Sequence, residues 1–271
     1  MLPALIGIGP GRSGTSFIYE ALLEHPQVTM AHGTKETNFF GSEYHRGVDW
    51  YAAFFEGADT PAVGEISNNY FYDGDAAERM AEVVPDARLF SCLRHPFDRL
   101  RSVYQYRLRA GTIPASVSLD EAVECYPDLV EDNCYASRLA PFRTRFSPDQ
   151  LLILFYDDLD QDPRAFLSRL FTFVGVDPAF EPSVLDQRVN AAVELRSPWL
   201  QRVVGPAARL LRSLGLVRVV TRLKRSDALR KALFRPPKAT AAEALRLRPQ
   251  TAERLRATWE PEIAQLEADY S

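Results

Sequence analysis

The sequence of 271 residues is short of several residue types, and each shortage closes off a class of protein. It holds 3 cysteines, Cys92, Cys125 and Cys134, with no Cys-x-x-Cys spacing, and they cannot all pair with one another. A disulfide framework and a zinc ribbon are thereby excluded, and a reducing, cytoplasmic compartment fits best. The 4 histidines, His25, His32, His45 and His95, show no convergent spacing with the cysteines, so no metal centre is expected. No apolar run approaches the roughly 20 residues that cross a bilayer. No basic leader runs into a signal-type apolar stretch, so the fold is expected to begin at residue 2. There is also no excess of positive charge: 32 Lys and Arg against 36 Asp and Glu leave a formal charge of -4, which argues against a general nucleic-acid binder. Internal repeats and low-complexity tracts are absent.

What remains is an ordinary globular composition, 46% hydrophobic and 25% charged, in a chain long enough for one large α/β domain or for such a domain with a helical appendix. Leu5, Ile6 and Ile8 form a short apolar run that ends in Gly9-Pro10-Gly11, the pattern of a buried strand entering a tight turn. A helix follows, with Phe17, Ile18, Ala21 and Leu22 at helical spacing, capping hydroxyls from Ser13, Thr15 and Ser16, and a stop at His25-Pro26. Strands are predicted over 27–30, 61–66, 88–94 and 151–156, and helices over 75–84, from Pro96, and over 119–124, 135–146 and 163–174. Strands alternating with helices imply a mostly parallel central sheet covered on both faces, with ligands at the carboxyl ends of its strands.

Composition shifts near Ser197. From Trp199 to Lys238 the chain is helical in pattern, and arginines and lysines recur every few residues against the single acid Asp227. Pro236-Pro237 breaks the stretch, and a final helix is predicted to run to about Ala268. The expected organisation is an α/β core over 1–196 and a helical, basic extension over 197–271 packed on the same domain. The 199–238 helices offer a solvated face that can gather an anionic acceptor or rest on a membrane or other anionic surface.

A strand, then Gly9-Pro10-Gly11-Arg12-Ser13-Gly14-Thr15-Ser16, then a helix, is an arrangement that binds phosphate. Glycines let backbone amides approach an anion, and a helix N-terminus favours negative charge. The spacing is close to the P-loop pattern, yet Thr15 stands where that loop has lysine and the cation is Arg12, which disfavours nucleoside triphosphate hydrolysis.

Arg12-Ser13-Gly14-Thr15-Ser16 resembles the 5'-phosphosulfate loop of the sulfotransferases that use 3'-phosphoadenosine-5'-phosphosulfate (PAPS). The run from Arg94-His95-Pro96 through Arg99 and Ser102 to Tyr104 resembles their 3'-phosphate signature. Arg94 at a strand end and Ser102 two turns into the next helix can converge on one phosphate through charge-assisted hydrogen bonds. The resemblance implies a three-layer, P-loop-like α/β fold and a PAPS site built from Arg12, Ser13, Gly14, Thr15, Ser16, Arg94 and Ser102, with Arg188 in a weaker later segment. Family members usually have lysine at position 12; arginine keeps the charge but does not release its proton, so its implied role is electrostatic.

Lys35-Glu36-Thr37-Asn38-Phe39-Phe40 and the segment Tyr44 to Tyr51 are similar to the glycan-modifying branch, in particular to the sulfotransferase portion of heparan N-deacetylase/N-sulfotransferases. That similarity makes Glu36 the catalytic base, with His32 as the alternative and His25 a structural residue. An acceptor hydroxyl or amine needs such a base, and burial near Phe39 and Phe40 would raise the carboxyl toward neutrality. Gly64-Glu65-Ile66-Ser67 follows the family's strand-and-loop motif with Ile66 in place of its lysine, so a cation usual near the sulfuryl group or acceptor is missing there. Tyr135 reads equally as core packing or donor contact. The implied activity is sulfuryl transfer from PAPS to a hydroxyl or amine of a glycan, glycolipid or small metabolite. The alternatives are a nucleotide kinase or GTP-binding module, and a catalytically idle protein that keeps the donor fold.

Overall fold

A computed structural model describes residues 1–186, 194–195, 234–235 and 245–270. The chain divides into two compact units, 1–187 with 240–271, and 188–239.

In the first unit, strands β1 (Leu5–Gly9), β2 (Val28–Met30), β3 (Ala62–Ile66), β4 (Arg88–Leu93) and β5 (Leu151–Phe155) form one sheet in the order β2-β3-β1-β4-β5. Every pairing in it is parallel. β1 and β3 are buried at every residue and β4 at all but its first. Burial at both odd and even positions requires cover on both faces, as parallel sheets have. The helices are α1 (Thr15–Glu24), α2 (Val48–Ala52), α3 (Ala76–Val83), α4 (Pro96–Ala110), α5 (Leu119–Cys125), α6 (Asp128–Glu131), α7 (Tyr135–Arg145), α8 (Tyr156–Gln161) and α9 (Pro163–Val174). Up to residue 174 the predicted strands and helices are present, within a residue or two of their expected ends. Tyr156, expected as the last residue of a strand, instead opens α8, a helix too short to show a period in the sequence.

Strand order decides where a ligand can sit. From β1 the chain builds β2 and β3 on one side, then crosses to place β4 and β5 on the other, so a crevice opens beyond the carboxyl end of β1. Gly9, the last residue of β1, is paired with Ser91 of β4, whose Oγ donates to the Gly9 carbonyl at 2.7 Å. The loops that follow β1 and β4 are therefore neighbours, although about 80 residues separate them along the chain.

The C-terminal helix α10 (Pro249–Tyr270) belongs to the same unit. Leu255, Trp259 and Leu266 recur at helical spacing and are buried. Trp259 meets Phe97 edge-on at 5.0 Å between ring centroids, and its Nε1 donates to the Val130 carbonyl at 3.1 Å. Glu262 accepts from the amide of Ser137 at 2.8 Å and from its hydroxyl at 2.5 Å. Of the second unit, the described part is an antiparallel pair, β6 (Glu194–Leu195) with β7 (Phe234–Arg235). The helical expectation for 199–238 fails at Phe234 and Arg235 and elsewhere lies outside the described residues. The reason at Arg235 is local: it precedes Pro236, whose ring disfavours α geometry in the residue before it.

Trp259→Ala should cost about 3–5 kcal/mol of stability, because a large, wholly enclosed ring and its indole hydrogen bond are lost together. Urea unfolding checks this, and a loss below about 1 kcal/mol would mean that α10 is not held by this side chain.

Candidate active site

The loop after β1 is shaped by left-handed residues. Gly9, Arg12 and Gly14 have φ of 106°, 71° and 87°. At Gly14 a Cβ would lie 3.0 Å from Leu159 Cδ2 and 3.2 Å from Tyr156 Cδ2, so both the conformation and the space demand glycine. Gly14 is also the residue that caps α1, and no side chain makes a capping hydrogen bond there. The expectation that Ser13, Thr15 or Ser16 would cap this helix is thus overturned. The left-handed turn at Gly14 brings no hydroxyl onto the first-turn amides, so no capping side chain competes there with an anion. The Ser13 hydroxyl is fully buried without a hydrogen-bond partner. An orphaned donor inside an anion-shaped loop fits a ligand that accepts from it.

Two side chains latch this loop in place. Gly11 donates its amide to the Tyr72 hydroxyl at 3.2 Å, and Arg99 Nε donates to the Gly11 carbonyl at 3.0 Å. The rest of the buried Arg99 guanidinium is spent on the Asp132 carbonyl at 3.1 Å, the Asn133 side chain at 3.0 Å and the Tyr72 hydroxyl. The second arginine of the 3'-phosphate signature therefore braces the loop.

The first arginine behaves differently. Arg94 leaves the end of β4 with its guanidinium 4.4 Å from the ring centroid of Tyr156, and its carbonyl accepts from the Tyr135 hydroxyl at 2.7 Å. Tyr135 thus packs in the core and also anchors the backbone of Arg94. Ser102, on α4, accepts from Arg12 Nε at 3.1 Å, and the Arg12 guanidinium lies 5.4 Å from the Tyr106 ring centroid. Burial holds the Arg12 guanidinium below its ordinary pKa, and the like charges of Arg109 and Arg94 add to the effect. Cations crowded this way lack compensation that an anion would supply.

Glu36 lies beyond β2, on the β3 side of the crevice. Asn68 Nδ2 donates to its Oε1 at 2.6 Å, and Lys35 Nζ stands 3.9 Å from the same oxygen. Burial raises the Glu36 carboxyl above the ordinary carboxylate range, with Lys35 and the Asn68 hydrogen bond pulling it part of the way back. Lys35 Nζ also donates to Thr15 Oγ1 at 3.1 Å, which ties the Glu36 segment to the first residue of α1. His32 is exposed, whereas His25 is buried between the Gln27 amide at 3.2 Å and the Asp177 carbonyl at 3.1 Å, a structural position.

Beneath Glu36 lies a second carboxylate, Glu65 of β3, with no exposure to solvent. Its Oε1 accepts from the hydroxyls of Tyr51 and Tyr70, both at 2.7 Å. Its Oε2 accepts from Thr37 Oγ1 at 2.6 Å, Ser67 Oγ at 2.7 Å and the Thr37 amide at 3.4 Å. Ser67 Oγ in turn receives the Asn38 amide at 3.1 Å. Burial beside this carboxylate pushes both tyrosines upward in pKa, so they remain phenols and donors. Glu65 and Tyr51 stand inside the motifs read from the sequence without a role there; Asn68, Lys35 and Tyr72 likewise emerge only from the packing.

A model of the sulfotransferase domain matches residues 3–197. The chain belongs to the sulfotransferase family. Among curated proteins, the bifunctional heparan sulfate N-deacetylase/N-sulfotransferase 3 of Homo sapiens is 32% identical over 203 residues, 67% of this chain and 23% of that protein. The bifunctional heparan sulfate N-deacetylase/N-sulfotransferase 1 of Mus musculus is 31% identical over 231 residues, 77% of this chain and 26% of that protein. The chain thus spans about a quarter of the length of these relatives. Among solved structures, a sulfotransferase from Alicyclobacillus acidocaldarius superposes with a TM-score of 0.68 at 21% identity, covering 99% of this chain and 95% of that one. Mouse sulfotransferase SULT7A1 complexed with PAP gives 0.55 at 12% identity, covering 99% and 88%. The sulfotransferase fold read from the loop and the 3'-phosphate signature is therefore the fold the chain has, and the likeness to the heparan branch is met by its relatives.

In this sulfotransferase-family chain the loop residues 12–16, Arg94 and Ser102 meet at one end of the sheet, with Glu36 linked to them through Lys35. Arg188 lies outside the described residues. Among the described residues no group of three or more His, Cys, Asp or Glu is placed to hold a metal ion, and no helix is long and apolar enough to cross a membrane.

Replacing Glu65 with Gln should lower stability by about 2 kcal/mol or more, because an amide NH2 would face donors that now share a charged acceptor. Thermal and urea unfolding read the loss. A variant as stable as the parent would show that the five donors do not depend on a carboxylate.

Proposed function

We propose that the protein is an enzyme that transfers a sulfuryl group from PAPS to a hydroxyl or amine of a glycan or other saccharide-bearing acceptor, with Glu36 as the base. The observation that carries this reading is the pairing of an uncapped helix N-terminus, ringed by Arg12, Arg94 and Lys35, with a desolvated carboxylate on the adjoining loop. The first half is a built anion cradle and the second an acceptor-side base. Support for the donor comes from the PAP complex of a protein with the same fold. Support for the acceptor class comes from relatives whose names specify heparan sulfate N-sulfation. A reducing, cytoplasmic setting belongs to the same proposal and rests on cysteine usage; Cys92, Cys125 and Cys134 are free thiols. Recruitment of an anionic acceptor or a membrane surface by the basic stretch 199–238 rests on the sequence alone.

Residues 12–16, Arg94 and Ser102 would hold the donor. Backbone amides of the loop and of the first turn of α1 bind the 5'-phosphosulfate, while Arg94 and Ser102 bind the 3'-phosphate with Tyr156 beneath the arginine. When bound, the donor supplies an activated sulfur whose leaving group is a stable phosphate. Glu36, steered by Asn68, accepts the acceptor's proton as the acceptor oxygen or nitrogen bonds to sulfur. The bond from sulfur to the 5'-phosphate oxygen breaks, and the amides of the loop meet the charge left on that oxygen. Positioning and preorganised electrostatics carry most of the rate enhancement in such a scheme.

Glu36→Gln should lower sulfuryl transfer by about 100-fold to 10,000-fold while leaving binding of 3',5'-adenosine bisphosphate nearly unchanged. A radiolabelled-sulfate transfer assay against candidate saccharides, with calorimetry for binding, checks both; full activity would move the base elsewhere. The base form of Glu36 exists above its raised pKa. Activity should therefore fall with decreasing pH through a limb lying above the ordinary carboxylate range, and the Gln variant should lose that limb.

Arg94→Ala should weaken 3',5'-adenosine bisphosphate binding by about tenfold or more, because a charge-assisted contact to phosphate is lost. Unchanged calorimetric affinity would remove Arg94 from the donor site.

A further inference from the structure

Family resemblance offers two places for the side-chain cation that meets the transferring group, position 12 in the loop and position 66 after Glu65, and this chain fills neither in the usual way. Position 66 is isoleucine with no exposure, packed where a Cβ on Gly7 would come within 2.9 Å of its Cγ1. Position 12 is arginine, and the structure commits it to another partner. Its Nε is bound to Ser102 at 3.1 Å and its guanidinium lies near Tyr106, so it reaches across to α4, the helix assigned to the 3'-phosphate.

Lys35 stands where those two cations do not. Its Nζ donates to Thr15 Oγ1 at 3.1 Å, at the first residue of the uncapped helix, and lies 3.9 Å from Glu36 Oε1. A single ammonium thus touches the anion cradle on one side and the candidate base on the other, which is the line along which sulfur would pass from donor to acceptor. An ammonium at the positive end of a helix is poorly placed until an anion lies between them. Consistent with that, burial lowers the Lys35 ammonium pKa despite the neighbouring Glu36 and Glu20. Lysine also suits such a role, being a compact point charge whose three rotatable donors can follow an oxygen as its charge develops.

We propose that Lys35 is the catalytic cation of this protein, contacting the sulfuryl group and the bridging oxygen of the 5'-phosphosulfate, while Arg12 serves the 3'-phosphate side of the donor. This rests on the reading of the site as a PAPS site. Lys35 gives up no proton in the step. As the acceptor oxygen or nitrogen bonds to sulfur and its proton passes to Glu36, the sulfur–oxygen bond to the 5'-phosphate breaks, and the Lys35 ammonium hydrogen-bonds the oxygen that retains the electron pair.

The test needs no identified acceptor. Titration calorimetry compares 3',5'-adenosine bisphosphate with PAPS, which differ by the sulfuryl group, on the full chain and on Lys35→Met, Lys35→Arg and Arg12→Met. Lys35→Met should lose about tenfold in affinity for PAPS and less than about threefold for the bisphosphate, Lys35→Arg should recover most of the loss, and Arg12→Met should weaken both ligands alike. Circular dichroism on each variant confirms that it is folded. Equal affinity of Lys35→Met and the parent for PAPS, or an equal loss for both ligands, would overturn the assignment. Failure of the unaltered chain to bind either ligand would instead overturn the PAPS reading itself.

Discussion

A carboxylate with no access to water is among the most expensive groups a protein can bury, and Glu65 is tolerable because five donors close around it. Those donors come from three segments: Thr37 after β2, Tyr51 in α2, and Ser67 with Tyr70 in the turn after β3. Satisfying one charge therefore fixes three stretches of chain relative to one another, since Ser67 and Tyr70 share one. Glu36 immediately precedes Thr37 and Asn68 immediately follows Ser67, so the same charge sets Glu36 and the amide that orients it. The aromatic residues Phe39 and Phe40 complete the arrangement from below, with Phe39 stacked on Tyr51 at 4.3 Å. Remove the carboxylate and the geometry above it has no common reference.

At the anion-binding loop the logic is reversed: positive charge is gathered and only partly compensated. Arg12 has Arg109 and Arg94 among its nearest charged neighbours, Lys35 presses on a helix N-terminus, and Ser13 keeps a hydroxyl without a partner. Each of these costs the free protein something, in repulsion or in an unmade hydrogen bond. An anion that accepts from all of them at once recovers those costs on binding, which gives specificity for a ligand with charge at more than one point. The latch formed by Arg99, Tyr72 and Gly11 keeps the loop from relaxing away from this unfavourable state.

Much of this is legible in the order of residues. The β1 run and the glycines after it, the β4 run ending at Arg94, and Pro96 at the first turn of α4 are local signals with local causes, and each element forms where its pattern places it. The family is legible because Thr15 replaces a lysine in the loop and Arg94 with Ser102 recur at a recognisable spacing. Local reasoning fails at the cap of α1. Three hydroxyls near a helix start predict a capped helix, but the positive φ of Gly14 brings none of them onto the first-turn amides. At Arg235 the helical composition misleads instead, because the local effect of the following proline outweighs it.

The class of fold, the anion-binding loop, the 3'-phosphate signature and the identity of the candidate base all follow from the sequence, because each is encoded by neighbours in the chain or by a fixed spacing. Which partner each cation takes follows only from the packing. Arg12 is bound by a serine 90 residues away and Lys35 reaches a threonine 20 residues before it, contacts set by the strand order β2-β3-β1-β4-β5 and by the charge buried at Glu65. A side chain's partner depends on what packing brings within about 3 Å of it, and no spacing along the chain carries that information.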